Sequence, residues 1–250
     1  MREPGIRAHH TRGATGAAMS LDKLTLLRQA PLFAGIDPQA LGELSQRAGT
    51  KRLAADQPLF HKGDPGGELY GVLTGRLRVR GLGPDGRAMV FSYLDPGSIF
   101  GEISIVDQQP RSASIDAAEP SELLVVHRSH FAPFVRQNPQ VAINLARMLA
   151  ARLRRISDQT EDAFLLAIPA RLARRILALA ETYGKAAGGG LELAIRLPQQ
   201  ELGELVGATR ESVNKLLRRW SERGIIRLEQ GVLTVLDPAA LRDVADMLVD

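Results

Sequence analysis

Three observations predict an α+β fold in three parts: a series of short β-prone runs, then a long segment of helical period, then two short amphipathic helices followed by a hairpin pattern. From about Lys51 to Arg128, β-prone runs alternate with the breakers Gly63-Asp64-Pro65-Gly66-Gly67, Pro84-Asp85-Gly86 and Asp95-Pro96-Gly97. That spacing predicts an antiparallel sandwich or barrel such as a β jelly roll. Asn138–Ala163 has the period of a single long helix, and Pro198–Trp220 reads as two helices about a tight turn.

Taken in order, residues 1–18 are rich in Gly, Ala, Arg and His without periodicity, and a disordered tail is expected there. Met19 is a candidate native start, and His9 and His10 read as solvated. Leu24, Leu27, Leu32 and Phe33 predict a leading helix over Leu21–Phe33, and Pro38–Ala48 a second. Strands are expected at Leu69–Leu73, Leu77–Arg80, Met89–Leu94, Ser112–Ile115 and Glu122–Val126, so that residues 19–137 make one domain. In the long helix 138–163, Val141, Leu145, Leu149, Leu153, Ile156 and Thr160 lie along one side, interrupted by Arg152. Such a helix either pairs with its copy in a second subunit or packs on its own barrel, and pairing is the expectation.

Residues 164–250 make the last domain. Phe164–Glu181 predicts a helix and Gly184–Gly190 a glycine-rich loop, either a linker or an exposed contact surface. Leu202, Leu205 and Val206 form one stripe, Gly207 breaks the helix, and Thr209 is placed to cap the next. In that second helix Val213, Leu216, Leu217 and Trp220 are the inward side. Its outer face carries Arg210, Glu211, Asn214, Lys215 and Arg218, side chains suited to base edges and phosphates in a DNA major groove. Gly224–Leu236 gives two β-prone runs around Gln230-Gly231, the wing of a winged helix-turn-helix. Pro238–Leu248 reads as a closing helix with Leu241, Val244, Ala245 and Leu248 inward.

With 32 Lys and Arg against 28 Asp and Glu, the net charge of +4 permits a polyanionic partner without requiring one. The sequence has no cysteine, which excludes disulfides, thiolate-held iron–sulfur clusters and cysteine nucleophiles. It has no apolar run of membrane-spanning length and no signal-peptide core, so a cytoplasmic protein with no membrane partner is expected.

A second constellation lies within the β region, Gly101-Glu102-Ile103-Ser104-Ile105-Val106-Asp107-Gln108-Gln109-Pro110-Arg111-Ser112-Ala113. It offers a glycine for close backbone approach, a carboxylate, an arginine and a hydroxyl, a set that would satisfy a phosphate beside a ribose. A plain Glu102–Arg111 salt bridge across a turn is equally open at this point.

With GEISIVDQQPRSA and QQELGELVGATRESVNKLLRRW in this order, the chain resembles the CRP/FNR family of bacterial transcription regulators from about residue 24 to 236. The resemblance implies a cyclic-nucleotide-binding-like domain, a dimerisation helix and a winged helix-turn-helix. Gly101, Glu102 and Ile103 would open the phosphate-binding cassette. Arg111, Ser112 and the Ala113 backbone N–H would hold a cyclic phosphate, and Glu102 would accept from the ribose 2′-hydroxyl. Phe91 and Ser92 fall where cAMP-binding members approach the base, and Arg152, Ile156 and Ser157 align with positions that contact the nucleotide from the long helix. Ile156 departs from the pattern, standing where a hydroxyl would bond the adenine amino group, a bond worth about 0.5 to 1.5 kcal/mol.

On the DNA side the resemblance implies Arg210, Glu211 and Lys215 as base readers, with Thr209, Asn214 and Arg218 beside them, on a pseudo-palindromic operator with a TGTGA-like half-site. The expected protein is therefore a homodimeric regulator and not an enzyme. Its effector is a cyclic nucleotide, cAMP first, with no catalytic residues, metal, haem or iron–sulfur cluster; RNA polymerase is a further expected partner, with activation favoured. The alternatives are a related regulator that is effector-independent or answers another ligand such as a cyclic dinucleotide, and a cupin-like metal enzyme using His61, His127 and His130.

Overall fold

The computed structural model describes residues 21–82, 88–187, 189–195, 197–229 and 231–246, apart from the side chains of Leu82, Ala88 and Gln159. The expected tail, Met19, the Pro84-Asp85-Gly86 turn, Gln230 and Leu248 lie outside these residues.

Helices α1 (Lys23–Gln29) and α2 (Pro38–Arg47) each start on an aspartate whose carboxylate accepts from first-turn N–H groups, Asp22 from Thr25 and Asp37 from Gln39 and Ala40. The first helix ends earlier than expected: Pro31, which has no N–H to continue the ladder, opens a separate 3-10 turn over Pro31–Phe33.

Among the described residues eight strands follow in two antiparallel sheets: β1 (Gly49–Leu53), β2 (Pro58–Phe60), β3 (Glu68–Thr74), β4 (Leu77–Leu82), β5 (Ala88–Leu94), β6 (Ile99–Phe100), β7 (Ser114–Ala117) and β8 (Ser121–His127). Their orders are β1-β8-β3-β6 and β2-β7-β4-β5, the two-sheet sandwich of a jelly roll. Leu53, Tyr70, Val72 and Leu123 from one sheet meet Leu77, Ile115 and Ala117 from the other to form the inner core. Strand β7 begins two residues later than the expected Ser112. The backbone of Arg111 is instead tied to the Gly63-Asp64 turn, bonding Gly63 N and Asp64 O at 2.9 Å each, which leaves Arg111-Ser112-Ala113 as a braced loop.

Helix α4 (Arg128–Gln137) leads to α5 (Gln140–Leu165), which runs past Ala163 to take in Phe164 and Leu165. The predicted seam along α5 divides in two. Val141 and Leu145 are buried in the chain's own core with Leu26, Phe33, Leu124 and Phe131, and the Asn144 amide donates to the carbonyls of Leu32 and Ala34. Farther along, Leu153 is 65% exposed, Ile156 50% and Phe164 82%. The first half of α5 therefore belongs to the jelly roll, and only the second half presents an open apolar stripe.

The C-terminal part comprises α6 (Ile168–Tyr183), β9 (Gly184–Ala187), β10 (Gly190–Leu193), α7 (Gln199–Val206), α8 (Arg210–Glu222), β11 (Ile226–Glu229), β12 (Val232–Val235) and α9 (Pro238–Ala245). Its predicted glycine-rich loop is a hairpin. β9 pairs antiparallel with β10 and β10 with β12, because Leu193 turns into the core while Gly189 at φ +84° takes up the bend. Ile176, Leu202, Val213, Leu217, Trp220 and Leu241 gather around that core. The whole is an α+β fold, a jelly roll followed by a long helix and a winged helix-turn-helix.

Candidate functional site

Glu102 and Arg111 do not pair with each other across a turn; each has a partner from a distant element. Glu102, fully buried between β6 and the short helix α3 (Ile103–Val106), accepts from Arg152 of α5 at 2.6 Å through one carboxylate oxygen. This ion pair explains how Arg152 can interrupt an apolar helix face. The other oxygen of Glu102, Oε2, is buried without a hydrogen-bond partner. Leaving such an atom unpaired is costly in a closed interior.

Arg111 is 4% exposed. One terminal nitrogen donates to the Glu68 and Gly101 carbonyls at 3.1 Å and to the Ser104 hydroxyl at 2.9 Å; the other donates to the Glu68 carboxylate at 3.0 Å. Its guanidinium also lies over the Phe60 ring, 4.3 Å from the centroid. The Nε–H is buried without a partner, and among the described residues the backbone N–H groups of Ser112 and Ala113 find no acceptor. Two glycines make this packing possible. A Cβ on Gly101, at φ +85°, would come within 2.9 Å of the Arg111 guanidinium, and one on Gly66 within 2.2 Å of Ser104 Oγ.

Glu68 was not singled out from the sequence. Besides Arg111, it accepts from the Tyr70 hydroxyl at 3.4 Å and lies 3.9 Å from His127 Nδ1. Burial, and then the charge of Glu68, pushes the Tyr70 phenol up to about 12, which keeps it a donor. Of the other expected pocket residues, Ile103 is half-buried, and Phe91 lies against Gly81 and is 46% exposed. Ser92 sits opposite Val79 on β5, and Ser157 donates to the Leu153 carbonyl at 3.1 Å. Among the described residues no hydrogen bond, ion pair or ring contact joins Phe91, Ser92, Ile156 or Ser157 to Arg111. Among the described residues no three His, Asp or Glu side chains come together as metal ligands would.

At the other end, Thr209 caps α8 by accepting from Ser212 N at 3.2 Å, while Gly207 at φ +66° ends α7. Val213, Leu217 and Trp220 are buried, and Arg210, Glu211, Asn214, Lys215 and Arg218 are exposed together on the opposite side. Five polar side chains on one open helix face form a surface that fits a groove of a nucleic acid.

A third cluster joins the two ends. Arg78 and Arg80 of β4 share Asp116 of β7, and both reach α7: Arg78 lies 3.8 Å from Glu201 and Arg80 3.2 Å from Glu204. Asp95 accepts from Arg76 at 2.6 Å and from Tyr183 of α6, whose ring lies beneath the Arg76 guanidinium. Burial, and then Asp95, holds the Tyr183 phenol well above its usual range, and burial with Glu201 does the same for Tyr93.

The two halves match known family models in the same order, a cyclic nucleotide-binding domain over residues 50–138 and a Crp-like helix-turn-helix domain over residues 170–244. The chain is 32% identical over 216 residues to the CRP-like cAMP-activated global transcriptional regulator of Mycobacterium tuberculosis, covering 86% of this chain and 96% of that protein. It is 33% identical to the cyclic AMP receptor protein of Thermus thermophilus, covering 88% and 98%. Among solved structures, FixK2 from Bradyrhizobium japonicum superposes with a TM-score of 0.70 at 22% identity, covering 81% of this chain and 99% of that one. The c-di-GMP responsive regulator CLP of Xanthomonas campestris gives 0.71 at 20%, covering 80% and 99%. The chain belongs to the CRP/FNR family of transcription regulators, with a nucleotide-binding jelly roll and a DNA-binding helix-turn-helix.

Proposed function

We propose that this regulator works as a homodimer whose affinity for a pseudo-palindromic operator is set by a cyclic nucleotide, cAMP first. The observation that carries the reading is the placement of two buried orphans, the donor Arg111 Nε–H and the acceptor Glu102 Oε2, within the one stretch Gly101–Ala113 of the domain that matches the cyclic nucleotide-binding model. A cyclic phosphate accepting from Arg111, Ser112 and Ala113, with its ribose 2′-hydroxyl donating to Glu102, would satisfy both. The names of the Mycobacterium and Thermus relatives agree with that ligand.

Because Arg152 of α5 holds Glu102, a ligand on Glu102 would bear directly on the long helix. The open stripe of Leu153, Ile156 and Phe164 supports pairing with a second copy, which would set two α8 helices about 34 to 36 Å apart, one turn of DNA. Arg210 would read guanine, Glu211 cytosine, and Asn214, Lys215 and Arg218 the adjoining bases and phosphates of a TGTGA-like half-site. A cytoplasmic location and contact with RNA polymerase complete the proposal. Titrating operator DNA against the purified protein with and without saturating cAMP tests it. Tighter binding with cAMP is expected, and equal binding across the range refutes cAMP control.

A second reading, an effector other than cAMP or none, draws support from the base side. Ile156 has no hydroxyl, and Ser157 spends its own on the Leu153 carbonyl. Calorimetry against cAMP, cGMP and a cyclic dinucleotide separates the two readings.

A further inference from the structure

We infer that Glu68 is a specificity-determining residue of the nucleotide pocket, a carboxylate that competes with the cyclic phosphate for Arg111. This rests on the proposal that the pocket takes a cyclic nucleotide. Arg111 carries a single positive charge, and the Glu68 carboxylate is bonded to it at 3.0 Å. Its neighbour Glu102 is already neutralised by Arg152 at 2.6 Å. The four charges of the pocket therefore cancel, and an anionic ligand meets no net attraction. For the phosphate to take a terminal N–H of Arg111, it must either displace Glu68 or share the guanidinium with it as a like charge a few ångströms away. Glu68 has somewhere to go: its side chain is 33% exposed, whereas Arg111 is clamped by Ser104 Oγ and the Gly101 and Glu68 carbonyls. The movable partner is the carboxylate. Its other contacts are long ones, the Tyr70 hydroxyl donating at 3.4 Å and His127 Nδ1 lying 3.9 Å away.

Glu68 thus sets a threshold. It lowers affinity for any anionic ligand through charge, and it leaves a ligand without phosphate untouched. Gln at this position keeps an acceptor for Arg111 and removes the charge, so Glu68→Gln is expected to tighten cAMP binding about tenfold, the size of one like-charge contact at partly screened range. Glu68→Asp retains the charge and is expected to bind much more weakly than the Gln variant.

Isothermal calorimetry of the full-length wild type, Glu68→Gln and Glu68→Asp is the test, run with cAMP and cGMP and repeated with adenosine. A gain for the Gln variant toward the cyclic nucleotides, with adenosine unchanged, is the expected result. Equal or weaker cyclic-nucleotide binding by the Gln variant overturns the competition, as does an equal gain for adenosine, which would mean a looser pocket rather than a charge effect. Absence of cyclic-nucleotide binding by all three proteins overturns the nucleotide reading itself, and this inference with it.

Discussion

The Arg111 cluster and the Arg78–Arg80 cluster are built from the same chemistry, arginines against carboxylates, yet they join different parts of the molecule. Around Arg111 and Glu102, one donor and one acceptor remain buried and unpaired. Between β4 and α7, Asp116 holds two guanidiniums that reach Glu201 and Glu204, and here too Arg80 Nε and Glu201 Oε1 are buried without a hydrogen-bond partner. The first cluster ties the jelly roll to the long helix, where the proposed ligand would bind. A cluster that spans two domains marks a place where one domain fixes the other. Buried ion pairs contribute little net stability, because desolvation offsets attraction, but breaking one side is costly. The seam is therefore better read as setting the pose of α7 than as strengthening the fold.

The largest effect is expected from breaking the Arg111 cluster. Arg111→Ala should lower cyclic-nucleotide affinity at least about a hundredfold, equivalent to about 3 kcal/mol, while leaving ligand-free operator binding intact. Calorimetry and gel-shift titration on the same preparation check both halves.

Breaking the cluster between β4 and α7 comes next. Arg80→Glu places a carboxylate against those of both Asp116 and Glu204 and should cost about 2 kcal/mol in urea unfolding, with Glu204→Arg on the same chain recovering more than half. No recovery would show that the pair at 3.2 Å is not coupled.

Arg210 sharpens the contrast from a third side, since it is exposed and stands apart from both clusters. Arg210→Ala should weaken operator binding by about 1 to 3 kcal/mol without altering nucleotide affinity, as measured by fluorescence anisotropy. The smallest change concerns Thr209, which caps α8. Thr209→Ala should cost about 1 kcal/mol of stability in thermal unfolding, and Thr209→Ser very little.

What was legible in the sequence follows how far apart the interacting residues lie. The α8 face, its Thr209 cap and the Gly207 break depend on neighbours within a turn or two, and periodicity shows them directly. Five strands between Leu69 and Val126 are legible because β-prone runs and turn breakers are local signals, but the two-residue β6 is too short to show, and β1, with its polar Gly-Thr-Lys-Arg, exists through its pairing with β8. Glu68 lies 43 positions before Arg111, Glu102 50 before Arg152, and Arg80 124 before Glu204. Those contacts come from strand order and domain docking, which no spacing rule encodes. The division of α5 into a buried and an open half escaped for the same reason: the stripe is continuous in sequence, and only the jelly roll decides where it is covered.

Trp220, buried at the centre of the C-terminal core, is the chain's only tryptophan. Its emission therefore reports on the DNA-reading domain alone, whereas backbone circular dichroism averages over the whole chain. The gap between the two unfolding midpoints is an optical gauge of how firmly one half of the molecule is moored to the other, available without attaching any label.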